Sequence, residues 1–286
     1  MNDFPAAFHG LPMAVAESHA GPWLREISAH DGEVKISTAS ENRDLWTISR
    51  GVAILPIRGI LTKRSWFAEW MGWATYEGIE SAMRALAVHD EVKTIALDLD
   101  SPGGAAYGCA AAARAIAEVA KIKPVLAFVD PLAASAAYWL ASQAREIVLS
   151  PGGAVGSIGV AVSLAKAVQP DMGGDQWFEF VSSHAPNKRP DPQTEEGRAE
   201  IRRELDEIEA DFLGAVASGR RVTTAAAQER FGAGGVLYDA AAVSAGLADR
   251  IATRASFYEA ILAPGGRSPR RAALAQAAAA QARARL

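Results

Sequence analysis

Short apolar runs alternate with helical stretches through the middle of the chain. The runs at 51–57, 94–99, 124–129 and 146–149 have the length and apolar content of buried strands. Between the first two runs, residues 76–88 space their apolar positions as one face of a helix. An alternation of strands and helices is typical of right-handed crossover units. The pattern therefore predicts an α/β fold with a mostly parallel sheet.

A long charged helix is predicted for residues 195–216. Its apolar positions are four, three and four residues apart, which places them in a single stripe: Ile201, Leu205, Ile208 and Phe212. We interpret this stripe as a surface that packs against the core or against another subunit.

The chain divides into three zones. Residues 1–50 mix polar and apolar segments, with a short turn and strand expected at 30–37. Residues 51–262 carry the periodic patterns and are predicted to form the main domain. Residues 263–286 are rich in Ala and Arg and offer little bulky apolar surface for docking. We expect this tail to be disordered or helical.

The composition excludes several classes of function. The 286 residues include 29 Lys and Arg against 33 Asp and Glu, so the basic surplus of a general nucleic-acid binder is absent. The single cysteine, Cys109, cannot form an internal disulfide and is expected to be a small core residue. The five histidines lack metal-ligand spacing, and we expect neither a metal nor a cofactor. No apolar run approaches the ~20 residues of a membrane span, and the N-terminus does not resemble a secretory signal. We therefore expect a soluble, cytoplasmic protein without membrane partners.

A glycine-rich turn is the first candidate for chemistry. The segment DLDSPGG at 98–104 follows a predicted strand and precedes a helix predicted at 105–120. Two glycines after Pro102 permit backbone geometry that a side chain would forbid, and they leave amide donors free to point outward. Such a turn can form an oxyanion hole or an anion-binding nest. The same residues also make an ordinary strand-to-helix turn.

Ser135 is the second candidate. It lies in PLAASAAYWLAS at 131–142, directly after a predicted strand, and its neighbours are small enough for a substrate backbone to approach its hydroxyl. A serine hydroxyl is a poor nucleophile unless a base accepts its proton. The alternative is that Ser135 only caps the N-terminus of a helix.

The base is not a histidine that closely follows the serine, because residues 136–183 contain none. Two lysines follow Ser135, namely Lys166 and Lys188, and a lysine can act as a base when it is deprotonated. His184 is a further alternative, although no acidic residue beside it would orient its ring.

Taken together, these motifs resemble the signal peptide peptidase A family of Ser-Lys serine peptidases. The resemblance covers roughly residues 51–255, and the order and spacing of several motifs carry it. They are TYEGIESAMRALAVHDEVKTIALDLDSPGG at 75–104, the Ser135 segment, AREIVLSPGGAVGSIGVAVS at 144–163 and FGAGGVLYDAAAVSAGLADRI at 231–251. It implies a Clp/crotonase-like α/β fold with a mostly parallel sheet, repeated ββα-type units and flanking helices.

The resemblance also implies a role for each site residue. By position, Ser135 is the nucleophile, Lys188 is the general base, and Ser157 orients that lysine. The oxyanion donors are the backbone amides of three residues: Gly103, Gly104 and Ala136. The resemblance requires no cofactor and no metal.

Within this family, the sequence around Lys188 resembles that of the head-maturation proteases of phages and prophages. That resemblance implies a serine endopeptidase that processes portal, scaffold or capsid proteins, in the host cytoplasm or within the assembling capsid. Two alternatives remain open. The chain could be a crotonase-like acyl-CoA hydratase or thioesterase, which would need an acidic catalytic residue, or a catalytically silent capsid-assembly scaffold.

A homo-oligomer is expected as well. The resemblance implies a ring or another assembly in which Lys188 of one subunit completes the site of its neighbour. Three tryptophans before the helix at 76–88 are expected to line a hydrophobic groove or a subunit contact: Trp66, Trp70 and Trp73.

Overall fold

The computed structural model describes residues 13–15, 45–65, 68, 71–164 and 181–263, the first of these ranges as backbone only. Several features predicted above lie outside the described residues: the turn and strand at 30–37, Trp66, Trp70, Lys166 and residues 264–286 of the tail.

The strands alternate with helices along the chain. The described strands are β1 (Met13–Val15), β2 (Thr47–Ser49), β3 (Val52–Arg58), β4 (Thr94–Ser101), β5 (Gly103–Ala105), β6 (Val125–Ala134), β7 (Glu146–Leu149), β8 (Ala154–Gly156), β9 (Val236–Tyr238) and β10 (Arg250–Ile251). The described helices are α1 (Tyr76–Val88), α2 (Cys109–Ala120), α3 (Ala136–Ala141), α4 (Glu195–Arg220), α5 (Thr224–Arg230), α6 (Asp239–Ala245) and α7 (Arg254–Leu262).

Eight of the described strands form one mixed sheet. Its order is β10, β7, β6, β4, β3, β2, with β8 joined to β6 and β9 joined to β8. The pairs along the centre of the sheet are parallel, whereas β2 with β3 and β8 with β9 are antiparallel. β1 and β5 form a separate antiparallel pair. The predicted α/β fold with a mostly parallel sheet is therefore confirmed.

The predicted helix at 105–120 begins later than expected, at Cys109. Residues 103–105 instead form β5, because they pair with β1 on one edge and with Leu61 on the other. Gly108 then adopts a φ of 97° immediately before the helix. By contrast, the bounds of α1 are those predicted, and the Thr75 side chain caps its first turn by accepting from the Gly78 N–H.

The central strand β6 changes its partner partway along its length. Its first half pairs with β7 as far as Val129, and its last three residues pair with β8, beginning at Leu132. On the other edge, its pairing with β4 shifts in register between Leu99 and Ser101. Such an irregularity bends a strand and re-aims the residues that follow it. The end of β6 is thereby directed towards β8 instead of β7.

Both faces of the sheet are buried. Alternate residues of β6 belong to two different clusters of buried apolar side chains, as expected for a parallel strand covered on both sides. α1, α2, α3 and α4 contribute to the larger cluster, and α7 covers the opposite face. There the Phe257 ring stacks on Phe128 with 4.8 Å between centroids. The Arg254 guanidinium lies over the same Phe128 ring and pairs with Asp98.

The apolar stripe of α4 is buried at its C-terminal end. Phe212 is fully buried and stacks on Trp139, with 4.6 Å between centroids and 6° between ring planes. Ile208 is partly buried and packs against the same cluster, whereas Ile201 and Leu205 are partly buried without packing against it. The interpretation of the stripe as core packing is confirmed for Phe212 and Ile208.

Trp73 does not line an exposed groove or a subunit contact, so that prediction is wrong for this residue. Its side chain is 6% exposed within its own chain. The indole lies against Gly59, where an added Cβ would come within 2.5 Å of the Trp73 Cδ1 atom. Trp73 is therefore a core residue that packs beneath the turn after β3.

Truncating Phe212 should strongly destabilise the protein. Phe212→Ala removes a fully buried ring and leaves a cavity beside Trp139, which typically lowers the free energy of unfolding by about 3–5 kcal/mol. Leu205→Ala, two turns earlier on the same helix, is the matched control and should cost far less because Leu205 is only partly buried. Urea unfolding monitored by tryptophan fluorescence measures both. Equal losses for the two variants would contradict this account of α4.

Candidate active site

The carboxyl ends of three neighbouring parallel strands meet at one edge of the sheet. Ser101 at the end of β4 is in register with Ala133 of β6, and Ala134 of β6 is in register with Gly156 at the end of β8. Ser135 and Ser157 directly follow the last paired residues. Neighbouring strands lie about 4.8 Å apart, so the two serines are adjacent at this edge. Ligand sites of open α/β sheets are commonly built at the carboxyl ends of strands.

Ser135 has an unusual backbone conformation. Its φ of 54° and ψ of −122° lie in a region that a non-glycine residue adopts only at a cost of about 1–3 kcal/mol. Two hydrogen bonds hold it there: its N–H donates to the Gly156 carbonyl at 2.7 Å, and its own carbonyl accepts from the Trp139 N–H at 2.9 Å. Backbone strain of this kind is concentrated at functional sites.

The Ser135 hydroxyl is buried and has no hydrogen-bond partner among the described residues. The residue is 1% exposed, and its Oγ atom pairs with no other group there. Ser135 stands at the N-cap position of α3, yet its side chain makes no capping hydrogen bond. Ser135 therefore does not act as a helix cap, and its hydroxyl is not engaged in a structural hydrogen bond among the described residues.

The SPGG turn is fastened by the side chain of Ser101. The fully buried Ser101 hydroxyl donates to the Gly59 carbonyl at 2.6 Å and accepts from the Gly103 N–H at 3.1 Å. The Gly103 amide, one of the predicted oxyanion donors, thus already has a partner. Sequence reasoning treated the turn as a glycine feature and missed this role of Ser101. The placement of a serine directly before Pro-Gly-Gly is the signal that could have indicated it.

Gly104 lies where only glycine fits. A Cβ atom at this position would come within 1.7 Å of the Leu61 carbonyl oxygen. On this side of β5, Leu61 donates to the Gly103 carbonyl and accepts from the Ala105 N–H, each at 2.8 Å. Because successive residues of a strand point their backbone groups in opposite directions, the Gly104 N–H and C=O face the other edge. Gly104 is thus the glycine of the turn whose amide faces away from Leu61.

Ala136 supplies the third predicted oxyanion amide. As the first residue of α3, it has no preceding carbonyl within the helix to accept its N–H. Its side chain is fully buried, and its carbonyl accepts a weak hydrogen bond from the Cys109 Sγ atom at 3.6 Å. Burial raises the pKa of the Cys109 thiol well above its ordinary value. The thiol therefore remains protonated, as expected for a core residue rather than a nucleophile.

Ser157 continues the same edge from β8. It also has a positive φ, 53°, and its N–H donates to the Gly235 carbonyl at 2.7 Å. The residue is half-buried. The structure thus brings Ser157 next to Ser135, and backbone hydrogen bonds hold both residues at a positive φ.

Lys188 lies apart from these groups in the single chain. It ends a short 3₁₀ turn, Pro186–Lys188, and is exposed, as is His184 in the same loop. No hydrogen bond joins Lys188 to Ser135 or Ser157 in the part of the chain that the structure describes. Ser135, Ser157 and the amides of the turn and of α3 are brought together, whereas neither Lys188 nor His184 joins them.

The described residues contain neither a metal-binding cluster nor a membrane-spanning helix. No group of three or more His, Cys, Asp or Glu side chains there could hold a metal ion. None of the helices described is both long and apolar enough to cross a membrane.

Two phage proteins are similar to part of this chain. It is 34% identical over 119 residues to the capsid assembly protease C of Escherichia phage lambda. The aligned residues make up 41% of this chain and 27% of that protein. It is 33% identical over 120 residues to the head-tail preconnector protein GP5 of Enterobacteria phage P21. The aligned residues make up 42% of this chain and 24% of that protein. The chain thus spans about a quarter of the length of each.

Solved structures similar to this chain include a protease and a crotonase-type enzyme. The 1510-N membrane-bound stomatin-specific protease, in complex with a substrate peptide, has a TM-score of 0.42 at 16% identity, covering 72% of this chain and 77% of its own. An enoyl-CoA hydratase from Shewanella pealeana has a TM-score of 0.44 at 11% identity, covering 75% of this chain and 69% of its own.

The family match is broader than these pairwise similarities. Peptidase family S49 matches residues 117–173 and 175–262, which together make up half of the chain. This stretch contains Ser135, Ser157 and Lys188. The family predicted from the motifs is confirmed, and the chain belongs to peptidase family S49.

Proposed function

We propose that the protein is a serine endopeptidase in which Ser135 is the nucleophile and Lys188 is the general base. The observation that carries this proposal is the Ser135 hydroxyl, which is buried, unpartnered among the described residues and held on a strained backbone beside Ser157. A buried hydroxyl without a partner is costly, so its retention favours a catalytic role over a structural one. Membership of a peptidase family supports the same assignment.

The proposed reaction has two halves. The Ser135 Oγ atom attacks the carbonyl carbon of the scissile peptide bond while the neutral amine of Lys188 accepts the hydroxyl proton. The C–N bond then breaks, and the lysine returns the proton to the leaving amine, which leaves an acyl ester on Ser135. In the second half, the lysine accepts a proton from water, the hydroxide attacks the ester, and the proton returns to Ser135 as the acid product leaves.

Backbone amides would stabilise the negative charge on the carbonyl oxygen in both halves. The Ala136 N–H is the first candidate donor, since it has no acceptor within its helix. Gly104 is the second, since its amide faces away from Leu61. Gly103 supports the turn instead of the oxyanion in this arrangement, because its N–H donates to Ser101. Ser157, next to Ser135, would orient the lysine amine by a hydrogen bond.

The position of Lys188 supports a shared site. Within one chain this lysine is exposed and makes no hydrogen bond to the buried Ser135 hydroxyl among the described residues. A homo-oligomer in which Lys188 of a neighbouring subunit reaches Ser135 would bring the two groups together and desolvate the amine. We therefore include a cyclic assembly in the proposed function.

The proposed substrates are proteins of the phage head, namely portal, scaffold or capsid proteins, processed in the host cytoplasm or in the assembling capsid. The similarity to the lambda capsid assembly protease C supports this narrower proposal.

An acyl-CoA hydratase or thioesterase is the less favoured alternative. Such an enzyme would need an acidic residue near the oxyanion amides. The buried carboxylates among the described residues are Asp98 and Glu146, and both are paired with arginines: Asp98 with Arg58 and Arg254, and Glu146 with Arg250. Both lie on the sheet face that α7 covers, opposite α3.

A silent scaffold, the other alternative, would not be acylated at Ser135 by a β-lactone probe.

Replacing either member of the dyad should abolish proteolysis. Ser135→Ala and Lys188→Ala each remove a reacting group, so hydrolysis of fluorescein-labelled casein should fall to background in both. Because nucleophile and base act as a unit, the double variant should be scarcely worse than either single one. His184→Ala is the matched control, since it removes another titratable side chain of the same loop and should keep full activity. Substantial activity in Ser135→Ala or Lys188→Ala would refute the dyad.

The pH dependence should follow the protonation of the base. An amine accepts a proton only in its neutral form, so casein hydrolysis should increase as the pH is raised from 6 to 10. The measurement is the single-turnover rate of acylation, which isolates chemistry from product release. A rate that is flat across this range, or that falls with increasing pH, would contradict a lysine base.

Mixing two inactive variants tests whether the site is shared. Ser135→Ala and Lys188→Ala protein should together regain part of the wild-type activity, since some interfaces would pair an intact serine with an intact lysine. The assembly should be confirmed by light scattering, and each variant should be mixed with itself as a control. No rescue at any ratio, or a fully active monomer, would place the complete dyad within one chain.

A further inference from the structure

The outer edge of β5 is occupied by a segment from near the beginning of the same chain. Met13–Val15 forms β1 and pairs antiparallel with Gly103–Ala105, in the register Met13 with Ala105, Ala14 with Gly104 and Val15 with Gly103. These two strands form a sheet of their own, separate from the main one. β1 thus pairs with β5, the strand formed by the turn at the candidate active site.

The backbone groups that β1 covers are those of Gly104. The opposite edge of β5 is taken by Leu61, which bonds to Gly103 and Ala105. Strand alternation therefore directs the Gly104 N–H and C=O towards Ala14. The same Gly104 amide is one of the two candidate oxyanion donors. A strand that pairs with Gly104 hence competes for a group that a bound substrate would use.

An extended peptide would bind to this edge in the same way. Peptides commonly bind proteins by adding a strand to an exposed sheet edge, where main-chain hydrogen bonds supply the affinity. With Leu61 on the inner edge, the outer edge is the side of β5 open to such an addition. β1 has the antiparallel direction and the extended backbone of an added peptide strand.

We propose that β1 is an autoinhibitory strand that occupies the peptide-binding edge of β5 and must leave before a substrate can pair with Gly104. This inference rests on the proposed peptidase function and adds its regulation. Its three-residue pairing is short enough to be displaced, because two-stranded pairs of this size have little stability of their own. Substrate binding and β1 pairing are mutually exclusive.

A matched pair of proline variants tests the proposal in the full chain. Proline lacks the N–H that a strand donates. At Ala14 this N–H faces Gly104, whereas at Val15 it faces away, so only Ala14→Pro should break the ladder. Ala14→Pro should raise kcat/KM for labelled casein about tenfold through a lower KM, as expected for the loss of one or two hydrogen bonds. Val15→Pro should match the parent.

Two further measurements do not depend on proteolysis. In a Ser135→Ala background, Ala14→Pro should accelerate hydrogen exchange at Gly104, and Val15→Pro should not. A synthetic peptide, GLPMAVAES, which reproduces residues 10–18, should bind the Ala14→Pro background about tenfold more tightly than the Ser135→Ala parent.

The outcomes separate this inference from the proposed function. Activity that is unchanged or lowered in Ala14→Pro, in a parent that hydrolyses casein, would overturn the autoinhibitory strand and leave the peptidase standing. An inactive parent and inactive variants would refute the peptidase. In that case, faster exchange and tighter peptide binding would still identify β1 as a displaceable strand. Unchanged exchange and binding would overturn the inference by itself.

Discussion

The hydrogen bond from the Ser135 N–H to the Gly156 carbonyl is the interaction on which the candidate site depends. It extends the pairing of β6 with β8 by one residue. It forms only because β6 stops pairing with β7 after Val129 and pairs with β8 instead. With its N–H bound to β8 and its carbonyl bound within α3, Ser135 is fixed on both sides. These two attachments offset the cost of its positive φ, and they place Ser157 beside it.

The packing of α3 explains why the segment after Ser135 is rich in alanine. Every residue of this short helix is buried, and Ala136 and Ala137 have no exposed surface. Larger side chains at these positions would overpack the interface and shift the amide that follows Ser135, the proposed nucleophile. The large residues of α3 act as anchors instead: Trp139 stacks on Phe212 of α4, and the Tyr138 hydroxyl donates to the Leu247 carbonyl at 2.9 Å. The helix that carries the candidate oxyanion amide is thus fixed to two distant parts of the chain.

Local pattern predicted the elements that are held together by local interactions. The bounds of α1 agree with its apolar spacing, and its Thr75 cap lies three residues from the amide that it binds. β7 also agrees with its prediction, although its pairing partners, β6 and β10, are distant in the sequence. A strand that is buried on both faces has a continuous apolar run, here at 146–149, and that run can be recognised without its partners.

Two features whose structure is imposed by distant partners were not predicted. β5 was expected to be part of a helix, because its strand conformation is imposed by Leu61 and by β1, neither of which is near it in the sequence. Trp73 was expected at a surface, whereas the close approach of Gly59 buries it. For the site, the family resemblance implied that Ser135 and Ser157 serve one site, and the pairing of β6 with β8 brings the two residues to the same edge of the sheet. The resemblance carried no information on the exposure of Lys188, since that depends on how a loop packs.

The family match and the β1–β5 pair divide the candidate site into two parts. The residues that match peptidase family S49 begin at 117 and include the proposed nucleophile Ser135 and the proposed base Lys188. They also include Ala136 and Ser157, which are proposed to stabilise the oxyanion and to orient the lysine. The SPGG turn and β1 precede this stretch. They form the edge at which a peptide backbone would be held and aligned with the serine. In the proposed reaction, the rate of acylation depends on the substrate carbonyl reaching Ser135 in the correct orientation, so the pairing at that edge would determine this rate. A strand that covers Gly104 would therefore restrain the proposed peptidase without altering either residue of the proposed dyad.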